Sequence, residues 1–549
     1  MTLGKKIKQK FFHFKLFFLK KKNQGEKLLG NISPHTKIYL IIVNAMDNTE
    51  NKIIAIDISS NSVKIGLVSE HLKLEFIESQ NINVINEDID GFAKRLDMDD
   101  LWNKINIGVN RILKKCKSHH INIIGISTCA QRIATVFLDN SGDVIYGGPN
   151  TDVRGIDSGY MIDDEFSERD LFEITGHSPP LLFCLARLLW FREEEEETYK
   201  KINKVLMLDD WLVYRLTGNY VSDLSSAADS QILDIKKREW SSEIIQTFDF
   251  DPDFFPEIVE SGTIVGELKP ELVKSFNLSQ NNIPIIKSGG DTQASLLGMG
   301  VIEDGDIGIS LGTTAPVHLV VNKPIFDPNN NYWTSCHSIK GKWLIEAHAG
   351  NTGAAYNWFK ECFLSSLTNN SDSSIEQYLK NSTPGAFSTF AFLGPEKMNI
   401  KNQTSIKRGV FVFQPPTMIS EELPKIEDFA RSVLENIAFG IFENYQAIKG
   451  FTDLSIRTYC AGGMAKSEGF CKILASVLNT EISAPYTKDS AFIGVAMNTL
   501  KGLNYYSDYR SMIKNLLTYE KNFSNPTISD NYKNVYLEWK NLKNKIDDL

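Results

Sequence analysis

Apolar positions along this chain gather into short continuous runs that lead into polar bends. In "KIIAIDISSNSVKIGLVSE" (52–70), Ile53 to Ile56 form an unbroken, mostly β-branched run. Such a run predicts a strand buried on both faces. Ser59, Ser60, Asn61 and Ser62 then make a turn, and a second strand follows. The same design returns in "GDIGISLGTTAPVHLVV" (305–321), where Ile307 to Leu311 lead into Gly312-Thr313-Thr314 and Val317 to Val321 lead out. Two strand–turn–strand units so far apart predict a duplicated α/β architecture with a cleft between the copies.

Strand and helix signals alternate between and after these units. "INIIGIST" (121–128) predicts a strand, and "TVFLDNSGDVIYGGP" (135–149) a hairpin turning at Asn140-Ser141-Gly142. "REEEEETYKK" (192–201) reads as a solvated helix face. In 432–450, Val433, Ile437, Ile441, Phe442 and Tyr445 share one helical face, with Gly450 as the stop. Residues 456–479 predict a strand, a glycine turn and an amphipathic helix. The break between two domains falls near residue 298, giving domains over 46–298 and 299–549.

Composition narrows the class. A chain of 549 residues is too long for one core, and 42% apolar residues suffice for two. A formal charge of −9 gives no reason to expect nucleic-acid binding. The seven cysteines are scattered without a CxxC pair, so neither a zinc site nor a disulfide scaffold is expected, and a reducing, cytoplasmic compartment fits. Residues 1–45 stand apart, with ten Lys, no Arg and the single acid Glu26. "FFHFKLFFL" is too short and too interrupted to span a bilayer. A disordered or misassigned extension is the first expectation for this stretch, a membrane-surface anchor the second and a targeting segment the third.

Candidate chemistry lies at the bends. No GxxxxGK[ST] loop occurs, and no GxGxxG follows a strand. Backbone N–H groups and hydroxyls at a tight turn can cradle an anion instead. Ser60, Asn61, Ser62, Thr313 and Thr314 supply such donors, with Ser59 and Gly312 at the two bends and Lys64 adding charge. Each bend alone also reads as an ordinary hairpin. Asp57 reads as a turn cap or as a magnesium ligand. Asp152 and Arg154, in "NTDVR", suit either a polyol or a surface ion pair. Gln131 and Arg132 end a strand. Gly462 and Gly463 allow close approach of a ring or phosphate, or simply turn a strand into a helix. Asp291 follows two glycines in "SGGDTQASLLG" (288–298) and reads as the cap of a helix starting near Thr292 or as a reactive acid.

In order and spacing these segments resemble the FGGY family of carbohydrate kinases, from about residue 52 to residue 500. "AIDISSNSVK" is similar to the first phosphate motif, D-x-G-T-x-S-x-K, and "SLGTTA" to the second. "GGDTQAS" resembles the segment holding the catalytic Asp, and residues 209–241 the segment with Asp-x-Ser-x-Ala. "AGGMAKSEGFCKILASVLNTEISAP" resembles the adenosine motif and "DSAFIGVAM" the closing helix. The resemblance implies two duplicated actin-like ATPase (ribonuclease H-like) domains. It implies Asp291 as general base, and sugar contacts from Arg132, Asp152, Arg154 and Gln293. ATP would lie on the two bends and on Gly462 and Gly463, with Mg²⁺ at Asp57. The partners it implies are a small sugar and MgATP, with a homodimer also expected and no nucleic acid. Ser59 departs from the motif glycine and leaves open a sugar- or nucleotide-sensing role without transfer. Asn150 replaces the Trp of W-x-D-x-R. "NTDVR", "ARLLWF" and "GGDTQ" are most similar to the branch that phosphorylates autoinducer-2, a short linear polyhydroxy ketone. A linear ketose is therefore expected first, a pentulose such as xylulose second and a polyol such as glycerol third.

Overall fold

A computed structural model describes residues 50–116, 121–364, 375–399, 408–418, 422–454, 456–522 and 526–547. The basic stretch 1–45 lies outside the described residues.

The first sheet has six strands: β1 (Glu50–Ile58), β2 (Ser62–Ser69), β3 (Leu74–Asn81), β4 (Ile121–Ala130), β5 (Ile264–Glu267) and β6 (Pro284–Gly290). Their spatial order is β5-β6-β4-β1-β2-β3. Ile53, Ile54, Ala55 and Ile56 are fully buried, as the unbroken apolar run predicts. β1 and β2 pair antiparallel, with Asp57 opposite Lys64. β6 runs parallel to β4 and sets Gly290 opposite Ala130. Gln131 N donates to Ile58 O at 2.6 Å. The C-terminal ends of β1, β4 and β6 therefore lie side by side, the edge where ligands bind in open α/β sheets. Helix α1 (Met98–Lys115) covers this sheet with Leu101, Ile105, Val109 and Ile112 buried. Asp97 caps its N-terminus and Lys114 and Lys115 suit its C-terminal dipole.

The second sheet repeats the plan with seven strands: β7 (Asp306–Ser310), β8 (Pro316–Val321), β9 (Trp333–Cys336), β10 (Trp343–His348), β11 (Arg457–Ala461), β12 (Ile482–Pro485) and β13 (Tyr519–Asn522). The order is β9-β10-β8-β7-β11-β12-β13. β7 pairs antiparallel with β8 and parallel with β11, where Ser310 faces Ala461. The bend after β7 and the glycine turn after β11 thus share one end of this sheet.

Two helices join the halves. α2 (Asp291–Met299) follows β6, and α3 (Ser490–Gly502) closes the second half. They touch backbone to backbone. A Cβ on Gly298 would stand 1.9 Å from Ser490 O, and one on Gly494 1.8 Å from Ala294 O. Ser295 Oγ and Ser490 Oγ lie 2.6 Å apart across the crossing.

Some boundaries differ from expectation. The helix expected over 432–450 runs Ile426–Lys449. Gly450 ends it in a right-handed conformation rather than as a left-handed cap. The acidic face at 192–201 is interrupted: one helix, Cys184–Glu194, stops at Glu195, and a short turn, Glu196–Tyr199, follows. Among the described residues no helix is long and apolar enough to cross a membrane.

Candidate active site

Asp291 is the first residue of α2, and Gly290, without a side chain, is the N-cap. This corrects the expectation that Asp291 caps a helix starting near Thr292. The carboxylate is left to face its neighbours, and Thr292 Oγ1 donates to its Oδ1 at 3.2 Å. Two features force the chain into this position. Gly289 has φ +86°, and a Cβ there would meet Asp223 Oδ1 at 2.3 Å, so only glycine fits. Beneath it, the buried Lys287 ammonium reaches Asp209 at 2.6 Å and Asp210 at 2.5 Å. Gly289 N donates to the same Asp209 carboxylate at 3.1 Å. Burial works against this ammonium, but Asp209, Asp210 and Asp223 outweigh it and raise its pKa.

The surroundings set the proton affinity of Asp291. Burial pushes its pKa up to about 7; the like charge of Asp57 adds to the rise and Arg132 opposes it. Burial likewise pushes Asp57 up to about 6, with Lys64 across the hairpin opposing. Cys129 Sγ donates to Asp57 Oδ1 at 3.6 Å, and Asp489, just before α3, adds like charge. Lys64 thus moderates Asp57, a part not foreseen for it.

Arg132 spans the two halves. Its Nη1 and Nη2 donate to Glu346 Oε2 and Oε1 on β10 at 2.7 and 2.9 Å. Asp229 Oδ1 lies 3.7 Å from Nη1. Gln293 is fully buried, yet neither its amide oxygen nor its nitrogen has a hydrogen-bond partner among the described residues. Gln131 Nε2 is equally unpartnered, while its Oε1 accepts from Asn150 N at 3.2 Å. Buried polar atoms without partners carry a desolvation cost, and these two glutamines lie beside Asp291 and the first bend.

The first bend closes on itself: Ser59 N and Ser59 Oγ both donate to Ser62 O at 2.9 Å. Ser59 has no left-handed φ, so the turn does not require the motif glycine. Asn150 Nδ2 donates to Ser60 Oγ at 2.9 Å, tying residue 150 to the bend. Asn61 is exposed at the tip. At the second bend Gly312 and Thr313 are exposed and Thr314 half-buried. Gly312 N donates to Thr314 O at 3.0 Å. Gly462 has φ +112°, and a Cβ there would lie 2.5 Å from Leu311 O. The glycine turn is therefore packed onto the second bend, while Gly463 is open.

Asp152 and Arg154 are placed differently from expectation. Both are buried, and Asp152 has no exposed surface. Asp152 Oδ2 accepts from Tyr146 Oη and, at 2.8 Å, from Arg154 Nε; Oδ1 accepts from Lys94 N at 2.9 Å. Arg154 Nη2 reaches Glu87 at 2.6 Å and Lys94 O at 2.9 Å. Its guanidinium also stacks on Tyr146, Trp190 and Phe191. These protein partners occupy the groups expected to bind sugar hydroxyls, and the pair instead braces the loop that carries Asn150.

Glu346, His177, Asp229 and Lys287 were missed. Two of them had a visible signal: Lys287 in "IPIIKSGG" and Glu346 in "WLIEAHAG" are charges inside apolar strand runs, which require a buried partner.

Hydroxyl and glycine bends, repeated at corresponding ends of two like sheets, belong to the two-domain actin-like ATPase fold. The xylulose kinase from Lactobacillus acidophilus has this fold with a TM-score of 0.78 and 18% identity, over 90% of this chain and 98% of that one. Residues 52–298 match the N-terminal domain, and residues 307–501 the C-terminal domain, of the FGGY family of carbohydrate kinases, and the chain belongs to that family. It is an ATP-dependent sugar kinase. A xylulose kinase of Lactococcus lactis (strain IL1403) is 27% identical over 78% of this chain and 84% of its own length. An autoinducer-2 kinase of Salmonella paratyphi B is 24% identical over 89% and 93%.

Proposed function

We propose that this kinase transfers the γ-phosphate of ATP to a hydroxyl of a linear ketose, a pentulose or an autoinducer-2-like polyhydroxy ketone, with Asp291 as the general base. The observation that carries this reading is the carboxylate of Asp291, held at a helix start on the ligand-binding edge of its sheet with a pKa near 7. A base of that pKa is deprotonated often enough at neutral pH to accept the hydroxyl proton as the oxygen attacks phosphorus. Arg132 and Gln293 orient the sugar; Asp152 and Arg154 hold the loop behind it. The bends at Ser59, Ser60, Asn61 and at Gly312, Thr313, Thr314 receive the phosphates, and Gly462 and Gly463 the adenosine.

A divalent cation fits at Asp57. The negative charge of Asp489 reaches this buried carboxylate, and that of Asp57 in turn reaches Asp291, so carboxylates converge where a cation would offset them. So few carboxylates suit magnesium, which keeps most of its waters and binds substrate phosphates. When bound, it supplies positive charge against the phosphate oxygens. All seven cysteines are unpaired and six are buried, which supports a cytoplasmic setting.

The test is coupled ADP release with D-xylulose, D-ribulose, autoinducer-2 and glycerol, for wild type and Asp291→Asn. Sugar-dependent turnover is expected, falling at least about 100-fold in the variant. ADP release indifferent to every sugar, or surviving in Asp291→Asn, overturns the proposal.

A further inference from the structure

We infer that Asp229 is a specificity-determining residue of the sugar site and selects neutral polyhydroxy substrates over sugar acids. The inference rests on the kinase reading above and deepens it.

Asp229 follows the short helix Leu224–Ala228 and is 1% exposed. Neither carboxylate oxygen accepts a hydrogen bond from the described residues. A buried charge left this way is costly and persists where a ligand completes it. Its two polar neighbours are at ion-pair distance but make no hydrogen bond to it. Arg132 Nη1 stands 3.7 Å away, an ion-pair distance without a hydrogen bond, and donates to Glu346 instead. His177 Nε2 stands 3.4 Å away. His177 Nδ1 lies 2.9 Å from Thr175 O. A carbonyl oxygen only accepts, so Nδ1 carries a proton and donates to it. His177 Nε2 has no partner either. Asp229 and His177 Nε2 thus stand side by side without a hydrogen-bond partner among the described residues.

More acceptor capacity is close by. Gln231 donates through Nε2 to His177 O at 3.0 Å and leaves its own Oε1 unpartnered. Across Arg132, Gln293 Oε1 is unpartnered beside Gly290. Gln293 Nε2 is unpartnered as well, so donors and acceptors both face the group, but Arg132 is charge-paired with Glu346 and the carboxylate of Asp229 is left without a hydrogen-bonded counter-charge. Hydroxyls donate to it well. A carboxylate group brings only acceptors and places like charge against Asp229.

The test is titration calorimetry of wild type and Asp229→Asn with D-xylulose, D-ribulose, glycerol and D-gluconate. A neutral member is expected to bind at least about tenfold more tightly than D-gluconate. Asp229→Asn should weaken that neutral binding at least about tenfold and narrow the gap to gluconate. Binding of a non-hydrolysable ATP analogue should stay within about twofold. Because the carboxylate is unpaired, the variant should unfold at no lower urea concentration than wild type, whereas a structural carboxylate would show a loss. Gluconate bound as tightly as every neutral member, no neutral member bound, or an unchanged neutral Kd in Asp229→Asn overturns the inference. The transfer reading fails separately: selective sugar binding without ADP release removes the transfer reading alone, and turnover that favours gluconate removes this inference and the ketose assignment while phosphoryl transfer stands.

Discussion

Arg132 and Glu346 form a two-pronged ion pair, at 2.7 and 2.9 Å, between the segment after β4 and strand β10. Each half of the chain contributes one charge. Burial opposes ionisation of Glu346, yet Arg132 and His318 hold it well below the usual carboxylate range. Glu346→Ala leaves a buried guanidinium with only Asp229 in reach. The expected cost is about 3–5 kcal/mol of stability, read as a lower urea midpoint, together with weaker sugar binding. A midpoint equal to wild type would mean that the pair contributes nothing to joining the halves.

The raised pKa of Asp291 has consequences of definite sign. Its folded value, about 7, lies above the ordinary 3.8. The folded state therefore holds the proton more tightly than the unfolded state, and stability declines as pH rises from about 4 to about 7. Asp291→Asn removes that decline. The variant should be more stable than wild type at pH 8, by on the order of 2 kcal/mol, with the gap closing towards pH 4. Activity should run the other way, with kcat/KM rising through an acidic limb near pH 7. The like charge of Asp57 contributes to the rise, so the limb depends on its ionisation as well. Urea titrations at the two pH values and a kcat/KM profile check this; a flat profile from pH 5.5 to 8 refutes it.

Much of this arrangement was legible because it depends on local patterning. The apolar run Ile53 to Ile56 and its counterpart, Ile307 to Leu311, specify buried strands whatever lies around them. The bends after them carry hydroxyls and glycines that only turns accommodate well. The proposed sugar site was harder to read because its residues come from distant segments. Arg132 meets Glu346 from 214 residues away, and nothing local marks that contact. Asp152 and Arg154 carry the right chemistry for a sugar, but Tyr146, Lys94 and Glu87 occupy it first. Asp229 follows a small-residue helix segment with no pattern around it, and its burial without a hydrogen-bond partner is a tertiary fact.

Gly462 and Gly463 separate fold from nucleotide binding. A Cβ at 462 would meet Leu311 O at 2.5 Å, and the φ of +112° disfavours any side chain. A Cβ at 463 meets nothing within 4 Å, and φ there is −59°. Gly462→Ala should lower the unfolding midpoint and nucleotide affinity together. Gly463→Ala should leave the midpoint unchanged and raise KM for ATP, while KM for the sugar holds. Unfolding curves and steady-state kinetics distinguish the two. An unchanged KM for ATP in Gly463→Ala would take the adenosine away from this turn.

Asp152 tests whether a buried acid near the pocket binds ligand or holds structure. Its oxygens accept from Tyr146, Arg154 and Lys94. Asp152→Ala strands those three donors, and a buried guanidinium loses one of its carboxylates. The expected loss is about 3 kcal/mol of unfolding free energy. In the protein that remains folded, sugar and nucleotide dissociation constants should change in step, because the loop carrying Asn150 touches both Gln131 and the first bend at Ser60. Chemical denaturation and calorimetry with each ligand measure the two effects. A loss confined to the sugar, with an unchanged denaturation midpoint, would place the carboxylate in contact with substrate and require the Tyr146 hydrogen bond to open on binding.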